Sequence, residues 1–185
     1  EYLVFDKIEN NPSTDTVKAG GNEAKKFRAD FVIGIGGGSP LDAAKAIAVL
    51  AVNDMEPVEL FTNKFKEAPL NIIAIPTTAG TGSEITPYSI LTRDDLQTKV
   101  SFGNAQTFPK IALLDPHYTE SQPWEVTVNT AIDALSHNIE GYLSKMSTPA
   151  SDVLAQEGIA RFGQSLKNLK NKTVSYEDRE NLLYA

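Results

Sequence analysis

The sequence predicts an α/β fold built on a parallel sheet, followed by a region made only of helices. Three apolar stretches have the length and composition of buried strands, at residues 31–35, 70–75 and 110–115. Strands that alternate with helical stretches favour a parallel sheet. After about residue 119, apolar side chains recur at helical spacing alone. We therefore divide the chain into an α/β domain, 1–118, and the start of an all-helical domain, 119–185.

Local signals predict the elements of the α/β domain in order. Residues 2–5, YLVF, are strand-like, and Asn11-Pro12-Ser13 breaks the chain and can open a helix. A second helix is predicted after the strand 31–35. There Ser39 is expected to cap the helix, with Pro40 at its first position and Asp42 at the capping-box position.

Later segments give a hairpin and then long helices. Residues 88–92 and 98–102 predict two strands joined around Arg93-Asp94-Asp95. Pro123-Trp124 and Thr148-Pro149 are typical of helix starts, and each precedes a run of apolar residues at helical spacing. The helical region is short and is expected to leave much of its apolar stripe uncovered.

Composition excludes several classes of function. The net charge of −7 argues against a nucleic-acid groove, because phosphate binding requires a basic surface. No apolar run is long enough to span a bilayer. The absence of cysteine excludes a disulfide framework and favours a cytoplasmic setting. The chain enters an apolar run at Glu1 without a Met or a leader, which we interpret as the sign of an incomplete portion of a protein.

The glycine turn at residues 36–38 is the strongest local signal. A strand leads into Gly36-Gly37-Gly38 and then into a helix, an arrangement whose free N–H groups and helix dipole attract an anion. A dinucleotide pyrophosphate is the natural ligand. The match to the G-x-G-x-x-G fingerprint is imperfect, since Ser39 stands where the last glycine would be. A tight turn that binds nothing is the alternative.

A second loop, residues 76–84, also follows a buried strand. Thr77 and Thr78 offer hydroxyl groups there, and the two glycines further along give close access to the backbone. Ligands of open α/β sheets bind beyond the carboxyl ends of the strands, so both loops can converge on one ligand. The alternative to a ligand-binding loop is an ordinary solvated loop.

A carboxylate and an imidazole lie four residues apart at Asp133 and His137. On a helix this spacing puts them on one face, where they can bind a divalent metal. Two ligands do not complete a tetrahedral site. The alternative is an i,i+4 charge pair on a solvated face.

The motifs GGGSPLDAAK, IPTTAGTGSE and AIDALSHNIEGY, in this order and spacing, resemble those of the iron-containing (group III) alcohol dehydrogenase family. The resemblance covers essentially the whole chain. It implies a Rossmann-like N-terminal domain and a helical C-terminal domain, with NAD or NADP as cofactor and Fe²⁺, or else Zn²⁺, as the metal. Members of the family are oxidoreductases, and the resemblance implies a small alcohol or aldehyde as substrate.

The resemblance also implies roles for single residues. Gly37, Gly38 and Ser39 match the pyrophosphate binders, and Asp42 would lie near the phosphate and ribose. The remaining implied cofactor contacts are Thr77 and Thr78 on the adenine and phosphate side, Lys99 near the nicotinamide ribose, and Asn11 near the adenosine. Asp133 and His137 match the first two metal ligands. The other two are expected to be histidines further along the helical domain, beyond Ala185, and His117 is expected to be a surface histidine.

The sequence therefore predicts a metal-dependent alcohol dehydrogenase that transfers hydride between a primary or small alcohol and NAD(P), and that forms a homodimer or a higher homo-oligomer. The 185 residues by themselves are expected to be inactive. Three alternatives remain: a polyol enzyme similar to glycerol dehydrogenase, a lyase similar to dehydroquinate synthase, and a dinucleotide-binding module without catalysis. The choice between NAD and NADP stays open, because the strand that decides it is expected to precede Glu1.

Overall fold

The computed structural model describes all residues of the chain, Glu1–Ala185, and separates into two compact units. The first unit contains Glu1–Pro76 and Ser83–Leu113, and it holds every strand. The second contains Thr77–Gly82 and Leu114–Ala185. A division into compact units does not decide whether residues 1–118 and 119–185 are separate domains. The predicted domain bounds therefore stay a prediction.

A parallel sheet of three strands forms the centre of the first unit. Strand β1 (Phe31–Gly36) pairs with β2 (Asn71–Pro76) along its whole length, and β2 pairs in turn with β5 (Ile111–Ala112). The strand order is β1-β2-β5 and all the pairs are parallel. The predicted α/β fold with a parallel sheet is confirmed.

Two helices and a hairpin complete this unit. Helix α1 spans Thr14–Phe27 and α2 spans Gly38–Leu50. Strands β3 (Ser89–Arg93) and β4 (Thr98–Phe102) form the predicted antiparallel hairpin, with Thr92 opposite Lys99. Apolar side chains from α1, α2, the hairpin and the 3₁₀ helix Pro57–Thr62 share one core, whose fully buried members include Val17, Val49, Leu60, Leu91 and Phe102.

Three sequence predictions about these elements were wrong in detail. Residues 2–5 form no strand, since they have no pairing partner and the side chains of Tyr2, Leu3 and Val4 are exposed. The last strand is shorter than 110–115, because its ladder with β2 covers two residues. Helix α2 begins earlier than predicted: Gly37 is its N-cap, so Ser39 does not cap it and Asp42 does not occupy a capping-box position.

The second unit contains three helices, α3 (Trp124–Leu143), α4 (Pro149–Asn171) and α5 (Tyr176–Leu183). Thr148 caps α4 through a capping box with Ser151, and Pro149 occupies the first turn, as predicted. The core of this unit joins the three helices to the loop after β2 and contains Ala79, Ala131, Phe162, Leu169, Leu182 and Leu183. No helix of the chain combines the length and the apolar character that crossing a membrane requires.

Helices α1 and α2 approach each other closely at a pair of glycines. A Cβ atom added at Gly21 would lie 2.6 Å from Leu50 Cβ, and one added at Gly20 would lie 2.5 Å from Ile47 Cδ1. Leu50 cannot move away easily, because it is buried in the shared core. The glycines therefore set the distance between the two helices.

We predict that Gly21→Ala lowers the free energy of unfolding of the protein. Overpacking costs about 1–3 kcal/mol, which exceeds the helix-propensity gain of about 1 kcal/mol. Gly163→Ala in α4 is the matched control, since no atom lies within 4 Å of its added Cβ. That control is expected to gain up to about 1 kcal/mol. Urea unfolding measures both, and stabilisation by both variants would contradict the close approach of α1 and α2.

Candidate functional site

The glycine turn lies between β1 and α2 and leaves the first turn of the helix open. Gly36 has φ 144°, and a Cβ there would lie 2.6 Å from Pro40 Cγ, so this position requires glycine. No side chain caps the helix at Gly37, and its first turn carries no acidic residue. The backbone N–H groups and the dipole at this end can therefore bind an anion.

Hydrogen bonds join this turn to the Asn-Pro segment and to the hairpin. The backbone N–H of Asn11 donates to Ser39 Oγ at 3.0 Å. Thr92 then binds the same segment twice, with its Oγ1 donating to Asn11 O and its N–H donating to Pro12 O, both at 2.8 Å. Three segments that are distant in sequence are thus held at one place.

A cleft of about 830 Å³ opens to solvent beside these contacts. Asn11 and Lys99 both line it, and Lys99 lies opposite Thr92 in the hairpin. The other lining residues are polar as well: Glu9, Asn10, Ser13, Thr92, Asp94, Gln97 and Thr98. Its volume is in the range of small-molecule sites, so the first unit brings Asn11, which binds Ser39, and Lys99 to the edge of a space that a ligand can enter.

The carboxylate of Asp42 is already engaged by protein groups. Its Oδ1 accepts a hydrogen bond from Ser83 Oγ at 2.6 Å, and its Oδ2 accepts one from the Ile90 N–H at 3.0 Å. Only 13% of its side chain is exposed. Asp42 therefore holds α2 to the start of β3, and any contact with a cofactor would share oxygens that these bonds occupy.

A buried lysine lies one turn further along α2. The side chain of Lys45 has essentially no exposure, and its Nζ donates to Ser83 Oγ at 2.7 Å and to Tyr88 O at 2.5 Å. Burial lowers the pKa of Lys45 to about 8, against the opposing charges of Asp42 and Glu84. Burial also raises the pKa of both carboxyl groups, an effect that hydrogen bonds and the nearby Lys45 reduce.

The loop after β2 carries Thr77 and Thr78, both half-buried, and belongs to the second unit. Ala79 anchors it in the core of that unit. Gly80 has φ 135°, and a Cβ there would lie 2.1 Å from Thr130 O, so only glycine lets the loop lie directly on α3.

Asp133 and His137 share one face of α3, as their spacing predicts. His137 Nε2 lies 3.8 Å from Asp133 Oδ1, and the side chains are 53% and 45% exposed. The other ring nitrogen of His137, Nδ1, lies 3.2 Å from Gly80 O. A hydrogen bond from Nδ1–H to this carbonyl leaves the Nε2 lone pair free beside the carboxylate, which is the arrangement usual for a metal-binding histidine. No third histidine, cysteine or carboxylate completes a cluster with the pair.

The second histidine of the chain lies in another environment. His117 Nδ1 is 3.0 Å from Asp115 Oδ1, and its ring packs at 4.7 Å against Tyr176. Hydrogen bonds from the backbone N–H and the ring of His117 lower the pKa of Asp115. The side chain of His117 is 64% exposed, as expected of a surface histidine.

Sequence reasoning missed the groups that orient the predicted residues. The sequence alone assigns no role to Ser83, Gly80 or Lys45. The signal for Lys45 is the apolar run that contains it, because a lysine surrounded by buried alanines and valines must find buried partners. No sequence signal indicated that the Gly80 carbonyl binds His137, since 57 residues separate them.

Two family models match almost the whole chain. The model described as iron-containing alcohol dehydrogenase matches residues 1–116. The model of the C-terminal part of the Fe-containing alcohol dehydrogenase family matches residues 127–185.

Individual proteins agree with these matches. Alcohol dehydrogenase 4 of Saccharomyces cerevisiae is 36% identical over 187 residues, which cover 98% of this chain and 48% of that protein. The crystal structure of an iron-containing alcohol dehydrogenase from Thermotoga maritima superimposes with a TM-score of 0.90 at 43% identity, covering 99% of this chain and 50% of that one. The structure of sulfoacetaldehyde reductase from Bifidobacterium kashiwanohense in complex with NAD⁺ superimposes with a TM-score of 0.92 at 34% identity. The match covers 98% of this chain and 49% of that one.

The chain thus spans about half the length of the curated relatives it matches. Within that span the matched residues include the glycine turn, the loop after β2 and the Asp133–His137 pair. The chain belongs to the iron-containing alcohol dehydrogenase family.

Proposed function

We propose that the intact protein is a metal-dependent alcohol dehydrogenase that transfers hydride between a small alcohol or aldehyde and NAD or NADP. The observation that carries the proposal is the orientation of His137, whose Nδ1 lies at the Gly80 carbonyl while its Nε2 faces Asp133. Family membership supports the same reading, as do the similar proteins, which include alcohol dehydrogenases and an NAD⁺-bound aldehyde reductase.

The dinucleotide would be held mainly by backbone groups of the first unit. The N–H groups at Gly37, Gly38 and Ser39 would bind the pyrophosphate, because they are uncapped and free of acidic neighbours. Asn11 and Lys99 line one cleft. Asn11 would contact the adenosine of the cofactor, and Lys99 its nicotinamide ribose. We retain Thr77 and Thr78 as cofactor residues on the basis of the family motif, and Asp42 as a residue close to the site.

The donor set of the second unit fits a divalent metal as part of a larger site. Asp133 and His137 supply one carboxylate oxygen and one imidazole nitrogen, a combination that suits Fe²⁺ and Zn²⁺. Gly80 O fixes the ring that presents the nitrogen. Catalytic sites take about three protein ligands, so the pair needs further ligands, which we expect to be histidines of the helical domain.

Each bound group would supply its own chemistry: the metal would act as a Lewis acid that favours loss of the alcohol proton, and the nicotinamide would accept or donate hydride. The side chains of this chain would bind and orient these groups. Neither Asp133 nor His137 needs to act as a general base. An assay of NAD(P)H formation from ethanol, 1-butanol, glycerol and 1,3-propanediol distinguishes the simple alcohol dehydrogenase from a polyol enzyme, and a lyase or a non-catalytic module would turn over none of them.

The glycine turn is tested by Gly37→Asp in the intact protein. Aspartate is a good N-cap, and Gly37 has φ −77°, so the helix start should persist while a carboxylate enters the anion site. We expect binding of NAD⁺ and NADP⁺ to be lost in calorimetric titrations. Gly37→Asn is the isosteric control without the charge and should lose less affinity. Undiminished affinity in a folded Gly37→Asp variant would place the cofactor elsewhere.

Lys99→Ala is expected to raise the Kd of the dinucleotide or to lower kcat, by about tenfold, because a charge-assisted hydrogen bond to the cofactor is removed. Circular dichroism should show an unchanged fold, since the side chain is exposed. Lys66→Ala, which removes another exposed lysine outside the cleft, is the control. Wild-type values of both constants in Lys99→Ala would make Lys99 an ordinary surface residue.

Removal of either metal ligand should remove the metal and the activity together. We expect about one metal per chain in the intact protein, and almost none in Asp133→Ala or His137→Ala, as measured by elemental analysis. NAD(P)H formation should fall at least about 100-fold in both variants. His117→Ala removes the other histidine and should retain metal and turnover. Full activity in a metal-free His137→Ala enzyme would contradict the metal site.

A further inference from the structure

The ammonium of Lys45 lies at the junction of three segments of the first unit. Lys45 belongs to α2, Ser83 follows the loop after β2, and Tyr88 immediately precedes β3. Nζ donates to Ser83 Oγ, which donates onward to Asp42 Oδ1, while Nζ itself lies 3.6 Å from that oxygen. The lysine, the serine and the aspartate therefore form a closed triangle that is almost entirely buried.

This triangle belongs to a larger hydrogen-bond network that extends to the glycine turn. The Ile90 N–H of β3 donates to the Asp42 carboxylate, and Ser89 Oγ donates to the Asp42 backbone carbonyl at 2.8 Å. Two residues along β3, Thr92 binds the Asn-Pro segment, and Asn11 of that segment binds Ser39 in the first turn of α2. Hydrogen bonds thus connect the hairpin to α2 at two places, at Asp42 and, through Asn11, at Ser39. Both residues lie within about two helical turns of the glycines.

The hairpin also carries Lys99, which lies directly opposite Thr92. A shift of β3 relative to α2 would therefore move Lys99 relative to the N–H groups at Gly37 and Gly38. The buried fastening at Asp42 resists such a shift more strongly than the exposed bonds at Asn11, because water does not compete for its partners.

We propose that Lys45 is a positioning residue of the dinucleotide site: through Ser83, Asp42 and the Tyr88 carbonyl it fixes the hairpin that bears Lys99 against the helix that begins at the glycine turn. The inference rests on the proposed function, since it assumes that the glycine turn and Lys99 bind a dinucleotide. Lys45 does not touch the cofactor in this account, because its side chain is enclosed by protein.

The charges around Lys45 support this role. Asp42, on the same helix, and Glu84, on the 3₁₀ turn Ser83–Ile85, are the two groups whose charges act on it. Loss of the proton from Lys45 would leave two carboxyl groups without a buried cation, near a helix end that binds an anion. The pKa of about 8 puts this change within reach of a pH titration.

The principal test is Lys45→Met in the intact protein, with calorimetry for the Kd of NAD⁺ and NADP⁺ and steady-state kinetics on 1-butanol. Methionine keeps the length and removes the charge and the donors. We expect the Kd and the KM of the dinucleotide to rise about tenfold, with the KM of the alcohol changed less than about twofold. Val49→Ala is the control, because it leaves a cavity beside the same helix. It should lower the Tm and leave the Kd of the dinucleotide unchanged.

A double-mutant cycle separates positioning from general stabilisation. If Lys45 acts by placing Lys99, then Lys45→Met should raise the Kd much less in a Lys99→Ala background than in the wild type. If it only stabilises the fold, the two fold-changes should multiply, which would contradict the proposal. Ser83→Ala removes one link of the triangle without a large change in volume, and it provides the same comparison if Lys45→Met fails to fold.

The pH dependence of the wild-type Kd gives an independent readout. An anion bound at the helix start favours the charged form of Lys45, so the pKa of Lys45 is higher in the complex than in the free protein. The Kd should therefore be constant below pH 8 and rise about threefold or more above it, with no such inflection in Lys45→Met. A wild-type protein that binds no dinucleotide would refute the proposed function and this inference together. Normal binding in wild type, with a Kd within twofold of it in folded Lys45→Met and Ser83→Ala, would refute the inference alone.

Discussion

The requirement to partner a buried ammonium organises the first unit of this protein. Lys45 lies among apolar side chains of α2, and an unpaired charge there would cost several kcal/mol. The chain meets the requirement with Ser83, Asp42 and the Tyr88 carbonyl, which come from three separate segments. The same bonds determine where the hairpin lies relative to the glycine turn, so the packing of the core and the geometry of the candidate site have one cause.

In the second unit, a backbone carbonyl orients the side chain of His137. Gly80 brings its loop onto α3, where the carbonyl oxygen lies beside Nδ1 of His137. A larger residue at position 80 would push the loop away from Thr130 and remove this acceptor. The close packing that requires glycine at position 80 therefore also determines which ring nitrogen of His137 is left free to bind a metal.

The sequence predicts the elements of the sheet well, because their signals are local. Strands β1 and β2 are apolar runs bounded by glycine or proline, and the hairpin strands flank a charged turn. The prediction fails at residues 2–5, since β-propensity without a partner strand makes no ladder. It also misplaces the start of α2, because Gly37 caps the helix without a side chain and so leaves no polar signal.

The candidate site likewise contains groups that the sequence predicts and groups that it does not. The i,i+4 spacing of Asp133 and His137 is visible in the sequence, and so is the glycine turn. The hydrogen-bond acceptors Ser83 and Tyr88 of Lys45, and the acceptor Gly80 of His137, are not visible in the sequence. They lie about 40 to 60 residues away and depend on tertiary packing. Motifs therefore identify groups that can bind a ligand, whereas only the structure shows which groups hold them in place.

A crystal structure of the intact protein with NAD⁺ and Fe²⁺ tests the central claim most directly. We expect pyrophosphate oxygens within hydrogen-bonding distance, about 2.7–3.2 Å, of the N–H groups at Gly37, Gly38 or Ser39. We also expect a metal bound by an Asp133 oxygen and by Nε2, not Nδ1, of His137. A dinucleotide bound away from the glycine turn, or a metal that does not contact both side chains, would contradict the central claim.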